Sequence, residues 1–180
     1  LVRNVGPQPR DVVAGPAWDK LAYTLPQPTK RHSAGEGPSP MIRVYVDVVC
    51  DLFHAGHVHF LEQARSLGDV LIVGVNTDEL VESYKRRPVL SLEERCAVVA
   101  SCRFVDEVIR GAPSPITESF IRDNAIDLVV HGDDMSPSEL EYWYAEPMRL
   151  GILKTVPYYR ELSTSMIDNR IRQRVERDEL

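Results

Sequence analysis

From residue 41 onward the apolar positions fall into two alternating patterns. Short unbroken apolar runs, rich in β-branched residues, occur as IRVYVDVV (42–49), DVLIVGVN (69–76), FVDEVI (104–109), DLVVHG (127–132) and ILKTVPYY (152–159). Runs of this length and composition predict buried strands. Between them the apolar residues take helical spacing. HVHFLEQARSLG (57–68) places Val58, Leu61, Ala64 and Leu67 on one face and ends at a glycine. SLEERCAVVASC (91–102) opens with Ser91 and Glu94, a capping box. ITESFIRDNAI (116–126) reads as a helix, ELEYWYAEPMRLG as a helix up to Pro147, and STSMIDNRIRQRVERDEL as a helix with Met166, Ile167, Ile171 and Val175 on one stripe. Continuous strands alternating with helices predict an α/β, Rossmann-like three-layer fold with a central parallel sheet. Such sheets bind ligands at the carboxyl ends of their strands, so the loops that follow strands are where chemistry is sought.

Residues 1–40 break the pattern. Pro7, Pro9, Pro16, Pro26, Pro28, Pro38 and Pro40 block helix and ladder alike, which predicts a Pro-rich extended arm or linker before a compact domain at 41–180. Trp18, Leu21, Tyr23 and Leu25 give that arm a means of pinning itself to a surface. A net charge of -6 over 180 residues argues against a nucleic-acid partner, which needs clustered Lys and Arg. The apolar runs are too short for a membrane span. No apolar signal-peptide core opens the chain. Cys50, Cys96 and Cys102, odd in number and without metal-ligand spacing, are expected to be reduced thiols in a cytoplasmic protein.

The loop after the first strand carries the densest chemistry: Asp51, Leu52, Phe53, His54, Ala55, Gly56 and His57 in succession. Two histidines three apart stand where a helix begins, and there exposed amide N–H groups and the helix dipole favour anions. Gly56 is expected to let a phosphate approach the backbone. Paired imidazoles there can donate hydrogen bonds to oxygens that gain charge in a transition state.

The stretch YVDVVCDLFHAGHVHFLEQARSLGDVLIVGVNTDEL resembles the opening of the cytidylyltransferase family, which includes choline-phosphate, ethanolamine-phosphate and glycerol-3-phosphate enzymes. The resemblance continues through Lys85, ERCAVVASCRFVDEVI, VVHGDD and LSTSMIDNRI, and so runs from about Met41 to Arg172. It implies CTP with Mg²⁺ as co-substrate, and a small phosphorylated or phosphonylated alcohol as acceptor. The acceptor oxygen would attack the α-phosphorus in line and pyrophosphate would leave. His54 and His57 would stabilise the α-phosphate, with Lys85 and Arg160 on the substrates' phosphates. Val49, Cys50, Asp51, Phe53 and Gly56 would surround the nucleotide on one side. His131, Gly132, Asp133 and Asp134 follow the fourth strand, and Leu162, Ser163, Thr164 and Ser165 open the last helix as a triphosphate clamp. RFVDEV, which begins at Arg103 and closes at Val108, matches a segment that lies at a two-fold interface in the family, so a homodimer is expected.

Three positions depart from the family pattern. Val48 stands where the family has the glycine of G-x-[FY]-D. Arg160 is the only arginine near the family's R-T-E-G-[IV]-S-T stretch, and it is out of register. Ser114 replaces an aromatic residue that choline and ethanolamine enzymes carry after A-P. A cationic amine is attracted to aromatic faces. The change points to a small non-choline acceptor, such as ethanolamine phosphate, glycerol phosphate or 2-hydroxyethylphosphonate, with Tyr142, Trp143 and Tyr144 as a substitute wall. Two other readings stay open: a catalytically degenerate nucleotide-binding module of the same fold, and an adenylyltransferase.

Overall fold

The computed structural model describes residues 41–180, so the expected arm over 1–40 lies outside the described residues. Five parallel strands form one sheet in the order β3-β2-β1-β4-β5, with β1 Arg43–Val48, β2 Val70–Val75, β3 Glu107–Arg110, β4 Leu128–Gly132 and β5 Leu153–Val156. The Rossmann-like three-layer expectation is met. Alternating side chains divide the core between the two sheet faces. Val44, Val46, Leu71, Val73 and Val130 pack with Leu61 and Ala64 of α1 (Ala55–Arg65) and Val99 of α3 (Leu92–Ala100). Tyr45, Ile72 and Val129 pack with Ile121 of α4 (Glu118–Asp123) and Tyr144 of α5 (Pro137–Arg149) on the other face. Gly74 is required by this second face, since a Cβ there would stand 2.1 Å from the Tyr45 hydroxyl oxygen.

Chain order departs from spatial order between β1 and β4, which are neighbours though β2 and β3 intervene in sequence. Connections leave to opposite sides there and open a crevice at the strands' carboxyl ends.

Several boundaries differ from the sequence expectations. Helix α1 begins at Ala55 rather than His57, because His54 is its N-cap. The third strand starts at Glu107: Phe104 and Val105 are apolar because they pack under the sheet from a turn in which Val105 N donates to Cys102 O. The last strand stops at Val156, since Pro157 has no N–H for the ladder. A short helix absent from the expectations, α2 (Asp78–Glu82), is capped by Thr77 and buries only Val81. One turn is too short to show a periodicity.

Helix α5 continues through Pro147 to Arg149, where the sequence suggested it would stop. Proline cannot donate to the carbonyl four residues back, which belongs to Trp143, and its ring crowds that carbonyl. The chain accommodates this with non-helical dihedrals at Tyr144 (φ -124, ψ 24), and the freed Trp143 carbonyl accepts from Ile116 N at 3.3 Å. The kink lies at the two aromatic residues of α5 that line the crevice.

Candidate active site

The crevice at the β1–β4 switch is lined by residues from every strand-end loop around it, including Asp51, His54, His57, Lys85, His131 and Ser163. Helix α1 and helix α6 (Thr164–Glu176) both begin on it. Gly56 makes their meeting possible: a Cβ there would stand 2.9 Å from both the Leu162 carbonyl oxygen and His54 Cε1. The glycine therefore serves the junction of the two helix starts. The Leu162 carbonyl and the His54 ring come close on the side where its side chain would stand.

The histidine pair has a defined hydrogen-bond pattern. His54 Nδ1 accepts from Gly56 N at 3.1 Å, and His57 Nδ1 accepts from His54 N at 3.2 Å. A ring nitrogen that accepts carries no proton, so in both neutral rings the proton sits on Nε2. His54 Nε2 lies 3.4 Å from Thr164 Oγ1, whose own hydroxyl donates to the Asp51 carbonyl at 3.0 Å. The rings stand 3.9 Å apart, centroid to centroid. Burial, with the neighbouring His54, pushes His57 down to about 3, and burial lowers His54 as well. The pair is thus two neutral N–H donors at neutral pH.

The loop leading to this pair is tightly wound. Cys50 (φ 54) and Leu52 (φ 47) occupy the left-handed region without being glycine, at a cost of roughly 1–2 kcal/mol each. Asp51, 6% exposed, offsets part of this by accepting from Val89 N and Leu90 N, both at 3.0 Å. Its two carboxylate oxygens are thereby engaged with the loop that carries Lys85 and Arg86. Beneath that loop Arg95, fully buried, donates to the carbonyls of Leu90, Val49 and Asn76 and pairs with Asp78.

At the β1 and β4 ends of the crevice Asp47 accepts from the Tyr144 hydroxyl at 2.6 Å, near His131, whose ring centroid is 5.1 Å from that of Tyr144. Burial raises the Asp47 carboxyl above the usual carboxylate range, and the bond from Tyr144 opposes the shift. Burial and Asp47 keep the Tyr144 phenol protonated and donating. Trp143 and Tyr84 also line the crevice, with their rings tilted at 53° and 5.3 Å apart.

Of the expected site residues, His54, His57, Lys85, Val49, Cys50, Asp51, Gly56, Ser114, His131, Gly132, Asp134, Trp143, Leu162, Ser163, Thr164 and Ser165 line this one crevice. Four do not. Phe53 stacks on His57 at 5.4 Å and supports the ring. Asp133 accepts from Tyr158 N at 2.8 Å, tying the end of β4 to the chain beyond β5. Tyr142 is 65% exposed and meets only the edge of Trp143. Arg160 is exposed and outside the lining, as its displaced register implies. Lining residues that sequence reasoning missed include Asp47, Asn76, Tyr84, Arg86, Met135 and Glu139. Asn76 ends a predicted strand as a polar residue, a detectable sign; it is 3% exposed and its Nδ2 has no partner among the described residues.

A family model for cytidylyltransferase-like proteins matches residues 49–170. The chain is 39% identical over 168 residues to an ethanolamine-phosphate cytidylyltransferase from Arabidopsis thaliana, covering 88% of this chain and 40% of that protein. It is 41% identical over 162 residues to one from Dictyostelium discoideum, covering 86% of this chain and 45% of that protein. The chain thus spans less than half the length of these relatives. Among solved structures, a lipopolysaccharide core biosynthesis protein from Thermoplasma volcanium superposes with a TM-score of 0.56 at 27% identity, covering 66% of this chain and 98% of that one.

Proposed function

The chain belongs to the cytidylyltransferase-like family, and on that premise we propose that it transfers a cytidylyl group from CTP to a small phosphorylated alcohol with release of pyrophosphate. The observation that carries this reading is the convergence of two helix N-termini on a pair of neutral imidazoles whose protons both sit on Nε2. A triphosphate laid across them meets the dipoles of two helix starts and two preorganised donors.

The chemistry asks little else of the protein. An acceptor phosphate in its dianionic form attacks through an oxygen that carries no proton. A bond forms from that oxygen to the α-phosphorus of CTP, and the bond from the α-phosphorus to the bridging oxygen of the β-phosphate breaks. Pyrophosphate leaves with the electron pair, so no general base is required. The work left is positioning and charge neutralisation. Charge grows on the oxygens around the α-phosphorus, where His54 and His57 would donate. Lys85 would bridge acceptor and nucleotide phosphates. Among the described residues no three His, Cys, Asp or Glu side chains gather as a metal cage, so Mg²⁺ would enter on the phosphate oxygens of CTP and supply charge neutralisation there.

For the acceptor, the Asp47 end of the crevice favours ethanolamine phosphate. Desolvation disfavours the charge on Asp47, which Tyr144 already bonds, so this group gains most from a ligand that brings both positive charge and N–H donors. A primary ammonium does both; a quaternary amine donates nothing, and Ser114 offers it no ring face. Glycerol phosphate and 2-hydroxyethylphosphonate keep the donor and lose the charge. The test is pyrophosphate release with each of the four NTPs against ethanolamine phosphate, choline phosphate, glycerol phosphate and 2-hydroxyethylphosphonate. CTP with ethanolamine phosphate should give the highest kcat/KM. ATP as the best donor would make the protein an adenylyltransferase, and no turnover with any pair would make the fold a degenerate binding module.

A further inference from the structure

We propose that Arg86 is the cation that receives the β- and γ-phosphates of the nucleotide, in place of Arg160, and that Asp168 holds it ready beside the start of α6. This rests on the cytidylyl-transfer reading and names a residue for it. The starting point is the charge balance of the crevice. A nucleoside triphosphate brings close to four negative charges. His54 and His57 are held neutral, and the dipoles of two helix starts amount to roughly half a charge each. Asp51, Asp134 and Glu139 add negative charge to the same walls. Among the described residues that line the crevice, Lys and Arg are represented by Lys85 and Arg86 alone. Arg160 lies outside it.

Arg86 is placed at the triphosphate end. Its guanidinium forms an ion pair with Asp168, in the second turn of α6, while Ser163 and Ser165 of the same helix start line the crevice. Arg86 and Ser165 also border a shallow recess with Asp168, Asn169 and Arg172 that continues the crevice outward. Asp168 meets Arg172 as well, at 3.3 Å. The carboxylate therefore has a second cation when Arg86 turns to a phosphate. The Arg86–Asp168 pair is partly exposed (43% and 25%). Pairs of that exposure contribute little to stability and are readily exchanged. A guanidinium has five N–H donors in a planar fork, enough to hold the carboxylate edge and a phosphate oxygen together. The loop that carries Arg86 is pinned by the bonds of Val89 and Leu90 to Asp51, so its approach to α6 is built into the fold.

The proposal is tested by calorimetric titration of the full chain with CTP, CDP and CMP at fixed Mg²⁺, for wild type, Arg86→Gln, Arg160→Gln and Asp168→Asn. Loss of one charged phosphate contact should weaken CTP binding by about 10- to 100-fold in Arg86→Gln. CMP binding should stay within about 2-fold, since the missing partner is the pyrophosphate portion. Arg160→Gln should bind CTP like wild type. Asp168→Asn should weaken CTP binding by less than Arg86→Gln does, because the guanidinium stays available but is no longer held beside the start of α6. Equal losses for CTP and CMP in Arg86→Gln, no loss, or a comparable loss in Arg160→Gln would overturn the assignment. A loss in Asp168→Asn matching that in Arg86→Gln would overturn it too, by showing that Arg86 acts only as a tether of its loop. Wild type that binds no CTP would instead remove the cytidylyl-transfer reading on which the assignment stands.

Discussion

His57 is a buried base that the fold keeps uncharged, and its chemistry follows from that. With Nδ1 occupied by the backbone N–H of His54, its only free nitrogen is a donor. His57→Ala is expected to lower kcat by about 10²-fold or more with little change in CTP affinity, the pattern for a donor that matters most in the transition state. Steady-state kinetics alongside CTP titration separates the two effects, and unchanged turnover would reduce the motif to a helix cap. The depressed acidity also has a stability consequence. Folded His57 binds a proton only near pH 3, whereas in the unfolded chain it binds one near its ordinary 6.5. Between those values the unfolded state holds a proton that the native state lacks. The contribution is therefore fully present above about pH 6.5 and is lost progressively as pH falls toward 3. By pH 5 the loss amounts to roughly 2 kcal/mol by the linkage of one pKa unit to 1.36 kcal/mol. Urea unfolding at pH 7 and pH 5 should show wild type losing more stability than His57→Gln by about that amount. The histidines were legible in the sequence because a strand, a loop and a helix frame them. Asp47 was not, because a single polar residue in an apolar run shows its meaning only once Tyr144, 97 residues on, is folded against it.

At the scale of elements, the site depends on how loops are tied to one another. The loop after α2 carries Lys85 and Arg86, and Asp51 holds it through Val89 N and Leu90 N. Asp51, which also lines the crevice, has both carboxylate oxygens bonded to that loop and so holds it in place. Asp51→Ala would leave two amides without partners and loosen Lys85 and Arg86 from the histidine loop. The expected result is KM for CTP raised by about 10-fold or more, from loss of hydrogen bonds to a charged group, with a smaller change in kcat. Asp51→Asn, which keeps one acceptor oxygen, should fall between. If KM is unchanged in both, the loop is held by Arg95 and its carbonyl contacts alone. Arg95 shows why such ties escape sequence reading: ERC in a capped helix looks like a solvated face, yet the side chain is fully buried and joins the ends of β1 and β2 to α2. The kink of α5 was half legible. Pro147 marks a break, but the break falls at Tyr144 and the helix resumes, because Ile116 N supplies the partner that the Trp143 carbonyl loses.

At the scale of the whole molecule, the stretch from Arg103 to Val108 carries two demands at once. Much of it is spent inside the chain. Val105 is 6% exposed, Phe104 packs against the core, and Asp106 accepts from Leu71 N at 2.8 Å while pairing with Arg65 at 3.0 Å. These contacts seat the turn between α3 and β3 whether or not a partner is present. What remains outward is Arg103, over the Phe104 ring at 4.7 Å, and strand β3 at the edge of the sheet beside the partly exposed Val98 of α3. An edge strand presents unpaired backbone groups that proteins usually cover, and closed two-fold pairs are the commonest way to cover a surface with itself. We therefore expect a homodimer on this side of the molecule, away from the crevice, with light scattering at micromolar concentration giving twice the 20.4 kDa chain mass. The double variant Val98→Glu with Arg103→Glu should halve that mass while leaving the unfolding midpoint of the chain within a few degrees, since neither side chain is part of the buried core. A monomer mass for wild type would mean that RFVDEV is fully accounted for by the intramolecular contacts of Phe104, Val105 and Asp106.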